Sequence, residues 1–517
     1  MRAVAMFSLL LGPAWLAALL ATATPVLAGE TDLDALAQSA QRLSWEQRFD
    51  EAIEIYERVL AKEPAHPLAR IERAKVLSWA RRYEESAEAF RELLADDPAD
   101  VEARIGLGRV LSWAGHYEEA RSEYEQVLAA HPEHPDALLG VAQTWAWSGD
   151  LARARPAYRA AAAAAEDPVY AELGLAYLDL WEGARASARR QAETLAARHP
   201  GDRDVAELLM AARRATAPWV SASWDQLDDS DRNLLTTTRL EAGTTLGWGP
   251  ALRVAYADYD VRTAGTGGTI RSLQGSLEWV PRPRHSVEAM LGLDRLERSG
   301  LEDHDVTDWG LRWSLPLPSS WSGSVNARRE PFRYSVPLIE NRIVIDSYTL
   351  AAHGPVGEKW RLSGEVSRWD LSDDNRRHAA EAAVRRSSSR GEHTLQAGLN
   401  LRWLDWEQHL DTGYFDPSDF FAWGLVGRAF GPVRGATALD YDLSLELGLQ
   451  SFDTAERRTS NDRYFLLVGR MGWQATDGLR VEAWADGGSY ASQGAEDWRY
   501  TRVGLRFLHR FGMGRAR

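Results

Sequence analysis

The chain has 517 residues, a net charge of −15, 22 tryptophans and no cysteine. The missing cysteines exclude disulfides and thiolate metal sites, and the acidic balance excludes the basic footprint that nucleic acid requires. Tryptophan at this frequency suits packed cores and membrane interfaces alike.

Residues 1–28 read as a secretory signal peptide. Arg2 leads an apolar stretch to Leu20, and Val26 and Ala28 supply the small residues before cleavage. Pro13 interrupts the stretch and no basic cluster follows it, which argues against a retained membrane helix. No other apolar run approaches the ~20 residues of a spanning helix. The mature protein is therefore either soluble or crosses a membrane by other means.

Residues 29–216 repeat themselves. Trp45, Trp79, Trp113, Trp147 and Trp181 stand 34 residues apart, followed at four by Phe49, Tyr83 and Tyr117 and at eleven by Tyr56, Phe90, Tyr124 and Tyr158. Pro64, Pro98, Pro132 and Pro200 follow at nineteen. In the third unit "VEARIGLGRVLSWA" predicts a first helix, Gly115 a turn, and "YEEARSEYEQVLAA" a second helix closed before Pro132. A small residue at the eighth position (Ala74, Gly108, Ala142, Ala176) lets the two helices approach closely. The pattern resembles the tetratricopeptide repeat over about 33–202, as five units. The last two are degenerate, with Glu166 in place of Pro and Ala192 in place of the aromatic. That resemblance implies an α-solenoid with a concave binding face rather than a catalyst.

The tryptophans leave two readings open. The core stripe of each first helix runs through positions four, seven, eight and eleven, and the Trp at thirteen lies about 200° around from eleven. It shares its stripe with Lys75, Arg109 and Gln143 at position nine. Trp45, Trp79, Trp113 and Trp147 either line a groove as indole faces for sugar rings or a partner segment, or pack against the next repeat and seal the solenoid.

Residues 217–517 change period from 3.6 to 2. "DYDLSLELGLQ" sets Tyr441, Leu443, Leu445, Leu447 and Leu449 against Asp442, Ser444, Glu446 and Gln450. A soluble sandwich would show the same alternation. Three features favour a transmembrane antiparallel β-barrel instead. The segments, about ten to thirteen residues, match the ~9–11 that cross a bilayer at a tilt. Aromatics mark their apolar ends at Trp248, Trp279, Trp309, Trp313, Trp321, Trp360, Trp403 and Trp473. Connections after even segments are short ("WGP", "ATDG"), and those after odd segments are longer and often acidic ("DQLDDSDRN", "REPFRYSVPLIEN"). About sixteen strands are expected, beginning near Pro218, Leu234, Pro250, Gly268, Arg284, Asp305, Ser320, Arg342, Lys359, Arg376, Glu392, Ser418, Ala436, Asp462, Gly478 and Asp497. The expected fold class is thus α + β in separate domains: a periplasmic solenoid, then an outer-membrane barrel.

The last strand, "WRYTRVGLRFLHRF", ends on Phe511 and resembles the terminal signal of outer-membrane barrels; "TGYFDPSDFF" at 412–421 resembles a Gly-Tyr-Phe-Ser-Pro-type motif. With the signal peptide and the repeats, these features resemble the exopolysaccharide export proteins of Gram-negative bacteria, including the outer-membrane subunit of cellulose synthase. Five repeats is short for that family. The resemblance implies a conduit for a cellulose-like or related polymer, with partners among periplasmic or inner-membrane synthase components and outer-membrane lipid. Strand parity puts Tyr414, Phe415, Asp416 and Asp419 in an outer loop. There they either gate the pore, with rings and carboxylates facing emerging sugars, or form a rigid cap.

No Gly-x-Ser-x-Gly, His-Glu-x-x-His or phosphate-binding glycine loop occurs, so no catalytic, cofactor or metal site is expected. Inward-facing Arg312, Arg328, Arg402, Arg470, Arg480, Arg502 and Arg506 mix with Glu241, Glu278, Glu288, Glu365, Glu446 and Glu482. The mixture selects neither a polyanion nor a polycation, and pairing across the wall is its plainer reading. Three functions compete: polysaccharide export, a general diffusion porin with a periplasmic adaptor, and an anchored scaffold for envelope proteins.

Overall fold

A computed structural model describes residues 32–512, apart from 283, 299, 319, 358, 391, 411–413, 455–457 and 490–497. The expected signal peptide lies outside the described residues. The chain divides into two compact units, Met1–Leu178 and Asp179–Arg517.

The helices keep the sequence period to the residue. First helices α1 (Leu33–Trp45), α3 (Pro67–Trp79), α5 (Val101–Ala114), α7 (Pro135–Trp147) and α9 (Val169–Trp181) each start 34 residues after the last. Second helices α2 (Phe49–Lys62), α4 (Tyr83–Asp96), α6 (Tyr117–Ala130), α8 (Leu151–Ala164) and α10 (Arg185–Arg198) do the same, and α11 (Arg203–Thr216) follows. Asp32 and Asp100 cap their helices by accepting from Ala35 N and Ala103 N at 3.2 and 3.0 Å. The turn within each unit needs a left-handed residue, met by Gly115, Gly149 and Gly183 (φ 87°, 87° and 84°) and by Gln47 and Arg81 in the first two units.

The aromatic in the middle of a second helix locks neighbouring repeats together. A Cβ on Gly108 would meet the Tyr124 ring at 2.9 Å, and one on Gly140 would meet the same ring at 2.3 Å. Tyr124 is therefore clamped between the first helix of its own repeat and that of the next. The same relation joins Phe90 to Gly106 and Tyr158 to Gly174.

The second unit is a closed antiparallel barrel of sixteen strands. They are β1 (Trp219–Asp229), β2 (Asn233–Thr245), β3 (Ala251–Thr263), β4 (Thr266–Arg282), β5 (His285–Arg298), β6 (His304–Pro316), β7 (Ser322–Pro331), β8 (Val344–Val356), β9 (Trp360–Leu371), β10 (Arg376–Arg390), β11 (His393–Trp406), β12 (Ser418–Val433), β13 (Ala436–Asp453), β14 (Arg458–Gln474), β15 (Leu479–Ser489) and β16 (Tyr500–Arg510), with a short α12 (Val336–Glu340) between β7 and β8. Every start lies within four residues of its expected position. β1 closes the ring on β16, from Trp219 opposite Arg510 to Asp229 opposite Tyr500.

The outward faces are apolar and uncovered: Leu443, Leu445 and Leu447 of β13 are 50, 43 and 55 % exposed. A soluble sandwich would bury that row, since each such side chain left in water costs on the order of 2 kcal/mol. Trp248, Trp279, Trp313, Trp360 and Trp473 stand exposed toward the rim where the helices enter, and Trp403, Phe421 and Trp423 toward the other. This is the apolar band with aromatic girdles of an outer-membrane barrel. No helix among the described residues is long and apolar enough to cross a membrane; the strands provide the span.

Two expectations about length change. Strands run from 10 residues (β7) to 18 (β13), beyond the expected ten to thirteen. The extra residues come from stretches read as loops: most of "DQLDDSDRN" is β1, and β3 and β4 are joined by Ala264 and Gly265 alone. Within the second unit α10 lies at the entry rim, where Arg185 pairs with Glu278 at 3.2 Å and Arg190 donates to the Gly247 carbonyl at 3.4 Å.

Candidate functional site

The connection between β7 and β8, residues 332–343, turns into the barrel and crosses the lumen at the rim away from Trp219 and Arg510. Val336, Leu338 and Ile339 are 0–3 % exposed. On one side Val336 and Ile339 pack against the inward residues Tyr259, Val261, Ile270, Leu296 and Val306 of β3 to β6. On the other, Leu338 packs with Leu371, Leu404, Phe420, Phe452 and Tyr464 of β9 to β14. A segment that touches both walls occupies the channel between them.

Polar contacts fix its position. Arg333 Nη2 lies 3.1 Å from both Asp294 Oδ2 and Asp308 Oδ2, two carboxylates with no exposure, and Arg333 Nη1 lies 2.7 Å from Glu330. Tyr334 donates its hydroxyl to Asp229 on β1, which also accepts from Trp498 Nε1 at 3.1 Å. Val336 N donates to Thr263 Oγ1 at 2.9 Å, and Arg298 pairs with Glu340 at 2.5 Å.

The loop between β11 and β12 joins this plug. The Tyr414 ring stacks on Trp406 at 4.9 Å and on Phe332 of the plug at 5.6 Å, and its hydroxyl donates to Asp373 Oδ2 at 2.9 Å. Phe415 meets Phe452 edge-on at 5.6 Å. Asp416 accepts from Leu410 N, and burial pushes its carboxyl up to about 6 against the pull of that hydrogen bond and of His409. Asp419 stands apart, exposed on the rim with its N–H donating to Asp405 at 3.1 Å. Gly413 lies outside the described residues. Tyr414 and Phe415 make their ring contacts with Trp406, Phe332 and Phe452, and so form a packed cluster.

Sequence reasoning missed the plug. The signal was present in Phe332, Tyr334, Val336, Leu338 and Ile339, apolar residues too dense for a solvated loop.

The lumen wall below carries charges in neighbouring pairs. Arg402 pairs with Glu446, Arg428 with Asp442 at 2.6 Å, Arg480 with Asp440 at 2.9 Å and Arg502 with Asp486 at 3.0 Å. Arg506 lies 3.6 Å from Glu241, and Arg328 lies 2.9 Å from Glu330.

In the first unit, Trp45, Trp79, Trp113, Lys75 and Arg109 line one groove of about 750 Å³. Trp147 packs instead against the cluster of Ala142, Ala146, Ala154 and Leu178, and Gln143 is not part of the groove lining. Lys75 sits between Glu72 (3.1 Å) and Glu102 (2.7 Å). Partial burial opposes its charge, but the hydrogen bonds it donates to these carboxylates outweigh that and hold the ammonium above the ordinary lysine value.

Residues 80–144 and 114–173 match the family model of the tetratricopeptide repeat. No curated protein matches the chain. Among solved structures the chain is similar to a bacterial polysaccharide outer membrane secretin, at 15% identity and a TM-score of 0.47, over 57% of this chain and 99% of that one. It is also similar to CdiB from Acinetobacter baumannii, at 10% identity and a TM-score of 0.39, over 57% and 60% of the two chains. A thermophilic TPR protein from Thermus thermophilus is similar at 21% identity and a TM-score of 0.32, over 35% and 98%.

Proposed function

We propose that the chain is an outer-membrane conduit for an uncharged, cellulose-like polysaccharide, with its repeats in the periplasm as a docking platform for synthase components. The observation that carries this reading is the lumen wall, where Arg402, Arg428, Arg480 and Arg502 each pair with a carboxylate one or two strands away. Separated charges would set up a field that steers ions. Paired charges leave donors and acceptors for hydroxyl groups with little net field, which suits a long neutral chain.

The plug adds support. A segment latched across the channel fits a path opened only when polymer arrives, and a permanently open sieve has no use for one. Strand parity favours periplasmic repeats: sixteen strands return the chain to the rim it entered, and the long connections 332–343 and 407–417 lie on the other rim.

Planar-bilayer recordings test the reading. A variant with 334–341 replaced by a short Gly-Ser linker should conduct, and neutral glycan added on the repeat side should interrupt its current. An intact chain that passes unrelated small solutes freely would point to a diffusion porin. A plug-less barrel that conducts nothing would point to an anchored scaffold.

A further inference from the structure

We propose that the groove on the first three repeats is a binding site for an uncharged glycan chain, held by an indole ladder of Trp45, Trp79 and Trp113. The proposal rests on the export reading for the source of its ligand, and on the groove itself for its chemistry.

Trp45 and Trp79 are 53 and 42 % exposed, at the ends of α1 and α3, and both line the groove. Large rings presented side by side in a concavity are the informative kind of exposed apolar surface. Two of the three rungs rest against an aromatic neighbour. Phe49 sets Trp79 at 6.4 Å between ring centres, and Tyr83 sets Trp113 at the same distance, both tilted. A side chain held by its neighbour loses little freedom when a ligand stacks on it. The ladder has a rung at the end of each successive first helix, one every 34 residues, and all three rungs line the same groove. Each rung can therefore meet a sugar face in one regular chain.

The polar lining selects the ligand class. Lys75 is cancelled by Glu72 and Glu102, and Arg109 and Asp136 are opposite in sign. With Glu72, Glu102 and Asp136 against Lys75 and Arg109, the groove thus offers no excess positive charge to a polyanion. Carboxylates and a guanidinium pair well with adjacent hydroxyls. An extended peptide would instead call on amide side chains, which match backbone N–H and C=O together. Residues 30–216 contain no asparagine, and among the described residues Gln41 is the one amide in the groove lining.

The test is calorimetric titration of the full-length chain in detergent with cellohexaose, an alginate hexamer and an extended polar peptide of similar length. Cellohexaose should bind, and the other two should not. Trp79→Ala should weaken binding about tenfold or more, while Trp79→Tyr, which keeps a stacking face, should retain most of it. Helix content and melting of each variant are read in parallel. Where Trp79→Ala loses helix, Trp45→Ala on the first helix carries the same test. No binding of cellohexaose, binding of the peptide or polyanion alone, or unchanged affinity in a folded Trp79→Ala chain overturns the proposal. The plug-less barrel reports on export alone: if it conducts and glycan blocks it while the groove binds none, only the groove proposal fails.

Discussion

Arg333 Nη2 lies 3.1 Å from Asp294 Oδ2, tying the segment that crosses the lumen to a wall carboxylate with no solvent exposure. Asp308 takes the same nitrogen at the same distance. Removing one partner of a buried pair costs ~3–5 kcal/mol, because the other charge is left without compensation. Arg333→Ala should release the plug, and single-channel conductance should rise. Arg333→Lys keeps the charge but loses the fork that reaches both carboxylates and Glu330, so it should fall between. Unchanged conductance in a folded Arg333→Ala barrel would remove the latch from the account.

The packed loop at the outer rim should respond to pH through Asp416. Burial raises its folded value to about 6, above the ordinary aspartate value near ~4. The folded loop then holds its proton more tightly than the released loop. Its stabilisation is complete below about pH 4 and is lost as pH rises through about 6. Spontaneous opening of the channel should be more frequent at pH 7.5 than at pH 5, and Asp416→Asn should flatten that difference. A pH dependence that persists in the Asn variant assigns the effect to another group.

Two glycines of the repeats should separate crowding from backbone strain. Gly140→Ala drives a Cβ to 2.3 Å from the Tyr124 ring and should cost ~1–3 kcal/mol by overpacking. Gly115→Ala meets nothing within 4 Å, and its cost, about 1 kcal/mol, comes only from a left-handed φ of 87°. Melting of the helical signal by circular dichroism should rank them in that order. Equal losses would mean that Tyr124 is free to move aside.

Both architectures were legible because each rests on a local period. The 34-residue step of Trp45 to Trp181 gave the helix starts to the residue, and the alternation of Leu443, Leu445 and Leu447 gave the strands. Loop length was less legible. Strands extend past the membrane band on one side, and their polar outer ends look like loop. The aromatic character of Tyr414 and Phe415 marked a packed loop, but what they pack on lay out of reach. Phe332 is more than eighty residues away in sequence and meets Tyr414 only when the barrel closes. The plug itself follows no period. Leu338 is buried by β9 to β14 and Val336 by β3 to β6, and only closure of β1 on β16 makes those walls face each other. Among the tryptophans, position thirteen alone could not separate groove from core, and the structure divides them: Trp45, Trp79 and Trp113 line the groove, and Trp147 packs inward.

On the proposed route, polymer leaves through this lumen once the 332–343 segment moves. Val336 N and Thr263 Oγ1 are 2.9 Å apart, and the chain has no cysteine of its own, so a Thr263→Cys, Val336→Cys pair whose disulfide forms staples the plug without competing thiols. The measurement is polysaccharide released by cells carrying this double variant, with and without a reductant. Release should stop when the staple is oxidised and return when it is reduced. Continued release with the staple fully formed would contradict the claim.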